Sequence, residues 1–476
     1  MTTRVMPNGV STAYEYDGLS RLTRLKHAKD TTTLFDYQYT HNTAQQITAI
    51  TEPSKTRTFG YDNAYRLTSA TSIISGQNES YTFDDVGNRT SSHLSSVYGY
   101  QQGSFNRLAS TQQASYSFDN NGNLTSKTEG TAKWYYSYDR ENRLMNAARF
   151  GGLMPRANES VIYQYDAFGR RVVRQDKKTG RTEFTHDGMD VLQDRKSNGE
   201  VVNYVNSLGI DNKLKVTTGT TSKYFLTDHL GSTTGLTDSN GVVTESASYD
   251  SFGRTVSSNL TTRYQYTGRE ADEYTGLMFY RARFYDPQIG RFISEDPIGF
   301  RGGINWYSYV ENNPIQKRDP FGLESIPALQ SNMPKKDNCN ADSCRRDMEK
   351  MIAIFWDTVV MMNQTGRRVQ GSGFAMGLFN NFSWSVNGIV NSISQTVTGT
   401  RPSAEIEGCI GQAVIMLQAL DGNSEKYENK WSFDIGHDYF FGVSYHKWVI
   451  VKPIDPKSKC PSLRFDTWAM NWSIIS

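Results

Sequence analysis

The plainest pattern in the chain is alternation. Ser115-Tyr116-Ser117-Phe118 sets small polar and aromatic side chains on opposite sides of an extended backbone, as a half-buried strand requires. Asp119 ends the run. Asn120, Asn121 and Gly122 follow, residues that cap a turn or tolerate positive φ, and Leu124-Thr125-Ser126 begins a return strand. The pattern predicts a β-hairpin. Beyond residue 340 the spacing changes. Met351, Ile352, Phe355, Val359 and Met362 recur at helical intervals, which predicts a helix over 347–362. Residues 373–397 are interrupted by Gly, Ser and Asn and read as broken helix or loop. Tyr445 to Val451 and Leu463 to Trp468 return to strand character.

The hairpin recurs. Tyr16-Asp17 leads to Arg21-Leu22-Thr23, Tyr61-Asp62 to Arg66-Leu67-Thr68, and Phe83-Asp84 to Gly87-Asn88-Arg89. Phe118-Asp119, Tyr138-Asp139, Tyr165-Asp166 and Tyr249-Asp250 head further copies. A lone hairpin cannot bury its aromatic face, so successive copies must stack into a continuous sheet. Each repeat Asp is read as a turn-former and none as a catalyst. The fold expected is mostly β.

Composition sharpens this. The 28 Tyr outnumber the seven His fourfold, which suits pleated strands. Lys and Arg number 51 against 49 Asp and Glu, a net +2 that argues against a general polyanion binder. No run approaches the ~18 apolar residues of a spanning helix. Met1 to Ser20 lack the apolar core of a secretory signal. Four Cys are too few for a disulfide scaffold.

The Tyr-Asp unit resembles the YD repeats of the Rhs and teneurin-like family, which includes the C component of insecticidal Tc toxins. Asp228-His229-Leu230-Gly231-Ser232 resembles a segment of that family. So does the run from Tyr266-Thr267-Gly268-Arg269-Glu270 through Tyr280-Arg281-Ala282-Arg283-Phe284-Tyr285-Asp286-Pro287 to Gly290-Arg291-Phe292-Ile293-Ser294. The resemblance implies a YD-repeat β-hairpin shell over 1–323, a partial Rhs cocoon, followed by a variable toxin domain over 324–476.

Asp296-Pro297-Ile298-Gly299 is echoed by Asp319-Pro320-Phe321-Gly322 after 23 residues. As local chemistry both are Asp-Pro turns. The resemblance gives them a role: Asp296 and Asp319 match two carboxylates that cut the chain after Leu323 in an aspartyl-type reaction. Two carboxylates held close keep one proton between them, so one serves as acid while the other activates water. Arg318, next to Asp319, is read as the charge that biases which of them keeps it.

After Leu323 the repeat stops. The tail holds 15 basic and 15 acidic residues, all four Cys, and only His437 and His446 of the seven His. Cys409 opens an apolar helical stretch, Gly408 to Leu420, where a helix N-terminus lowers a thiol pKa. His446 starts one predicted strand and Asp466 ends the next. That order is similar to papain-like and transglutaminase-like folds, which implies a smaller α+β papain-like domain. In it Cys409 is nucleophile, His446 base and Asp466 the residue that orients it. Hydrolysis, deamidation and transamidation of a protein amide share this chemistry and stay open. His437, placed in a Gly/Asp turn, is the rival base. Cys339, Cys344 and Cys460 suggest a disulfide or a partial metal site, but no metal spacing is convincing, and no cofactor or nucleic-acid partner is expected.

The resemblance further implies interbacterial competition, a cognate immunity protein, and a secretion apparatus of type VI kind with its spike or adaptor. It places synthesis in a bacterial cytoplasm, with delivery into target cells and no signal peptide. Two other readings stay open: a membrane-permeabilising effector working through Gly373 to Val397, and a structural YD-repeat surface protein.

Overall fold

The structure, a computed structural model, describes residues 2–328 apart from residues 75, 104–105, 152–158 and 208–209, and four strands beyond them. Among the described residues, nine antiparallel strands from Thr2–Val5 to Arg89–Ser92 pair in sequence order. Sixteen more, from Tyr98–Tyr100 to Thr255–Ser258, do the same. The predicted hairpin is present: Ser115–Phe118 pairs with Leu124–Glu129, Tyr116 opposite Lys127.

Each Tyr-Asp turn is held in the same way. Asp17 Oδ1 accepts from the N–H groups of Leu19 and Arg21 at 2.9 Å, and Asp17 Oδ2 takes Arg21 Nε at 2.6 Å. Asp62–Arg66, Asp139–Arg143 and Asp166–Arg170 repeat the ion pair at 2.6–2.7 Å. The Asp therefore finds its countercharge four residues on. That Arg also reaches forward: Arg66 Nη1 donates to Asp84 O at 2.5 Å and Arg170 Nη1 to Gly188 O at 2.9 Å. The repeat Tyr reaches back. Tyr61, Tyr138, Tyr165 and Tyr249 donate their hydroxyls to the carbonyls of Ile47, Leu124, Leu144 and Thr233. A buried phenol needs such a partner, which is why Tyr stands at these positions so often.

The ribbon meets its own beginning. Met6 and Val10 pack with Tyr224 and Leu226. Asn8 Nδ2 donates to Thr237 Oγ1 at 2.9 Å, and the buried His27 bridges Thr12 and Thr227 O.

Four short strands, Glu270–Ala271, Met278–Tyr280, Arg283–Asp286 and Arg291–Phe292, form a separate small sheet. It supplies what the hairpins cannot bury alone. Tyr280, Tyr285, Phe292 and Tyr309 join Leu25, Leu67 and Tyr81 in one apolar cluster, while Phe279, Phe284 and Ile293 join Trp134, Val161 and Tyr163 in another. Buried ion pairs tie the same segment to distant hairpins: Arg171–Glu270 at 2.7 Å, Arg174–Asp272 at 2.8 Å, and Asp211 between Arg269 and Arg281 at 2.5 and 2.8 Å.

Beyond residue 430, Trp431–Phe440, Val443–Pro453, Ser462–Asp466 and Asn471–Ile475 form a four-stranded antiparallel meander. The strands expected over 445–451 and 463–468 correspond to Val443–Pro453 and Ser462–Asp466. His437 is not in a turn: Trp431–Phe440 runs extended through it, and His437 pairs with Lys447. Gly436 and Asp438 suggested a turn locally, but cross-strand pairing overrides that propensity. The helices expected at 347–362 and 408–420 lie outside the described residues, as do Cys409 and the other three Cys.

Candidate active site

Two Asp-Pro turns and one strand converge here. Pro has no N–H, so each Asp caps the turn with amides further on. Asp296 Oδ1 accepts from Ile298 N at 3.0 Å. Asp319 Oδ1 accepts from Phe321 N at 3.2 Å and from Leu323 N at 3.0 Å. Gly322 holds φ +67°, and a Cβ there would lie 2.3 Å from Tyr280 O, so only glycine fits this close approach. One oxygen of each carboxylate is thus committed to the backbone. The other is free to face the site.

Both Oδ2 atoms face Arg283, in the strand Arg283–Asp286. Its Nη2 lies 2.8 Å from Asp296 Oδ2, 3.6 Å from Asp319 Oδ2 and 3.5 Å from the carbonyl oxygen of Leu323. Nε donates to Gly322 O at 2.6 Å, Nη1 to Trp306 O at 2.9 Å, and the guanidinium stacks 3.7 Å from the Phe292 ring centre. One nitrogen therefore stands beside both carboxylates and the carbonyl that precedes Glu324.

Asp296, Asp319, Arg283 and Leu323 are all buried. Burial pushes the Asp296 carboxyl up to about 7; Arg283 pulls it down, and the Asp319 charge pushes it up again. Burial likewise raises Asp319, to about 6, against the pull of Arg283 and of the Leu323, Phe321 and Gly322 amides. Near neutral pH such a pair carries one proton between its members, the state that acid–base hydrolysis uses.

The two Asp residues singled out in the sequence are brought together. Arg318 is not the arginine between them. It ends the two-residue strand Lys317–Arg318, and its charged neighbours are Asp211, Arg281 and Asp228. Arg281 in turn donates to Pro320 O, inside the second turn. Arg283 was missed as a site residue because it lies 36 positions before Asp319. Its signals were a place in the family-like closing segment and a cation set in a dense aromatic run. Among the described residues no cluster of three His, Cys, Asp or Glu is placed to hold a metal ion.

In the tail, His446 stands opposite Asp438 in the meander. Val449 pairs with Phe465, which sets Asp466 one step beyond that pair, towards His446.

The Teneurin YD-shell family model matches residues 15–315. Double-stranded DNA deaminase toxin A of Burkholderia cenocepacia is 30 % identical over 306 residues, covering 57 % of this chain and 21 % of that protein. The tRNA3(Ser)-specific nuclease WapA of Bacillus spizizenii is 28 % identical over 262 residues, covering 51 % and 11 %. The chain thus spans about a fifth or less of these relatives. Among solved structures, the Photorhabdus luminescens Tc holotoxin pore carrying a TccC3 D651A mutation superposes with a TM-score of 0.56. That match has 22 % identity and covers 69 % of this chain and 18 % of that one, a likeness of fold. Stacked Tyr-Asp hairpins, a closing segment threaded through their core, and a family match over most of the described residues lead to one assignment: the chain belongs to the Teneurin YD-shell family.

Proposed function

We propose that this chain is part of an Rhs-type toxin whose shell cuts itself after Leu323, releasing residues 324–476 as an effector. The observation that carries this is the position of Arg283 Nη2, within 3.6 Å of both carboxylates and the Leu323 carbonyl. Asp296, with the higher pKa, holds the shared proton and gives it to the Leu323 oxygen. Asp319, ionised, takes a proton from water as the water oxygen bonds to the Leu323 carbon. Arg283 offsets the charge that develops there. Collapse passes a proton to the Glu324 nitrogen and breaks the C–N bond, leaving a carboxylate on Leu323 and a free amine on Glu324. Arg318 acts at one remove, through Asp211 and Arg281, on the turn that presents Leu323. Mass spectrometry of the denatured chain tests this. Two fragments split after residue 323 are expected, and a single species at 53.8 kDa overturns the proposal.

The relatives support an enzymatic effector. For the tail itself we retain a thiol mechanism, with Cys409 attacking a protein amide, His446 as base and Asp466 orienting it. The adjacent strands that carry His446 and Asp466 support it. A second reading, nucleic-acid chemistry, is favoured by relatives named as a DNA deaminase and a tRNA nuclease, and it replaces the expectation of no nucleic-acid partner. Incubating the released tail, wild type and Cys409→Ala, with duplex DNA, tRNA and protein glutamine separates them. Ammonia or cleavage from protein, lost in the variant, supports the thiol. Altered nucleic acid with either protein supports the other reading. Delivery into target cells and a cognate immunity protein complete the proposal.

A further inference from the structure

The short 3-10 turn Gly299–Gly302 and the residue after it contain three glycines, and they are not equivalent. Gly299 and Gly303 hold φ +58° and +122°, and a Cβ on either would meet nothing within 4 Å. Backbone conformation explains both. Gly302 is the reverse. Its φ lies outside the left-handed region, so an L-side chain is conformationally allowed. Space forbids it: a Cβ would fall 2.3 Å from Asp296 Oδ2, 3.0 Å from Asp296 Cγ and 3.1 Å from the Leu323 carbonyl oxygen. The bare Cα of Gly302 therefore borders the gap between the acid and the carbonyl it is to protonate.

We propose that Gly302 is a positioning residue for the cut after Leu323, its missing side chain keeping Asp296 on Arg283 and open to the Leu323 oxygen. This rests on the self-cleavage reading. A methyl group at 302 has nowhere to go except by moving one of the two. Leu323 is held by Asp319 through its amide and by burial of its side chain. Asp296 Oδ2 is the freer atom, so the methyl displaces it from Arg283 Nη2. A shift of about 1 Å in a reacting group costs roughly 100-fold in rate.

The test is timed cell-free synthesis of the full chain, with intact and cut species quantified over a range of pH. Wild type, Gly302→Ala, Asp296→Asn and Gly18→Ala are compared. Gly18 has open space around its Cα and an ordinary φ, so its variant controls for the substitution itself. Gly302→Ala is expected to cut about 100-fold more slowly than wild type, and Gly18→Ala at the wild-type rate. The alkaline limb of the Gly302→Ala profile moves to higher pH, because Asp296 has lost its cation. In a slow-cutting Asp319→Asn background, measured on freshly purified intact chain, adding Gly302→Ala leaves the melting temperature within about 2 °C, a small effect by the usual scale. Full-rate cutting by Gly302→Ala beside a blocked Asp296→Asn sinks this inference and leaves the self-cleavage reading standing. Slow cutting with an unmoved alkaline limb, or a large drop in melting temperature, makes the role structural and sinks it too. An uncut wild type sinks the parent reading.

Discussion

The Tyr-Asp turns of the ribbon and the Asp-Pro turns of the closing segment share one backbone device, an Asp whose Oδ1 caps amides two or four residues on. They differ at the fourth position. In the ribbon that position is usually Arg, and the ion pair is made within the turn. Against the cost of burial, hydrogen bonds from Arg21 hold the Asp17 carboxyl below its ordinary value. In the Asp-Pro turns the fourth position is Phe300 or Leu323, so the carboxylate has no local cation and both turns draw on Arg283. The device that quiets an Asp in one place leaves two of them protonatable near neutral pH in the other. Burial is the larger cause: Asp250, a ribbon turn that is buried but keeps Arg254 at 3.0 Å, is likewise raised to about 6.

Five measurements test this contrast, from largest effect to smallest. Asp296→Asn or Asp319→Asn should slow cutting by about 100- to 10,000-fold, the usual cost of removing a positioned acid or base; the uncut 53.8 kDa band in a folded sample is the readout. Arg283→Ala, which strands two buried carboxyls, should cost about 3–5 kcal/mol in denaturant melts of a non-cutting background. That loss should be larger at pH 8, where the carboxyls are ionised, than at pH 5, where both are protonated. The wild-type cutting rate should be bell-shaped, falling below about 6 as Asp319 takes a proton and above about 7 as Asp296 loses its own. Stability should decline as pH rises from about 4 to about 7, a window that ends where the alkaline limb begins. The folded Asp296 pKa lies above the ordinary 3.8, so its stabilising contribution is complete below that value and is lost as pH rises through about 7. Arg143→Ala, in a ribbon turn with both partners partly exposed, should cost about 1 kcal/mol or less and leave cutting unchanged.

Local patterning made the ribbon legible. Alternation at 115–118, the turn at 119–122 and the return at 124 all follow from residues within ten positions of one another, and the structure reproduces them. Asp296 and Asp319 were singled out through the family resemblance; their twin Asp-Pro motif alone reads as two turns. Arg283 was not singled out, because its partners lie 13 and 36 residues downstream and no periodicity links them. Gly302 was invisible for a similar reason: what excludes a side chain there is the Asp296 carboxylate and the Leu323 carbonyl, the second of them 21 residues away. His437 misled because Gly and Asp beside it outweighed, on local reading, a partner strand that pairs through Lys447.

The backward Tyr and forward Arg contacts give the ribbon a grammar of addition. Each hairpin completes the previous one with a phenol and is completed by the next with a carbonyl, so its unmet needs fall only at its two ends. A whole hairpin spliced into the middle brings both a donor and an acceptor and leaves its neighbours satisfied. Half a hairpin breaks two sets of bonds. Length in such a shell changes in whole units, which fits irregular spacing between copies that nonetheless share one turn.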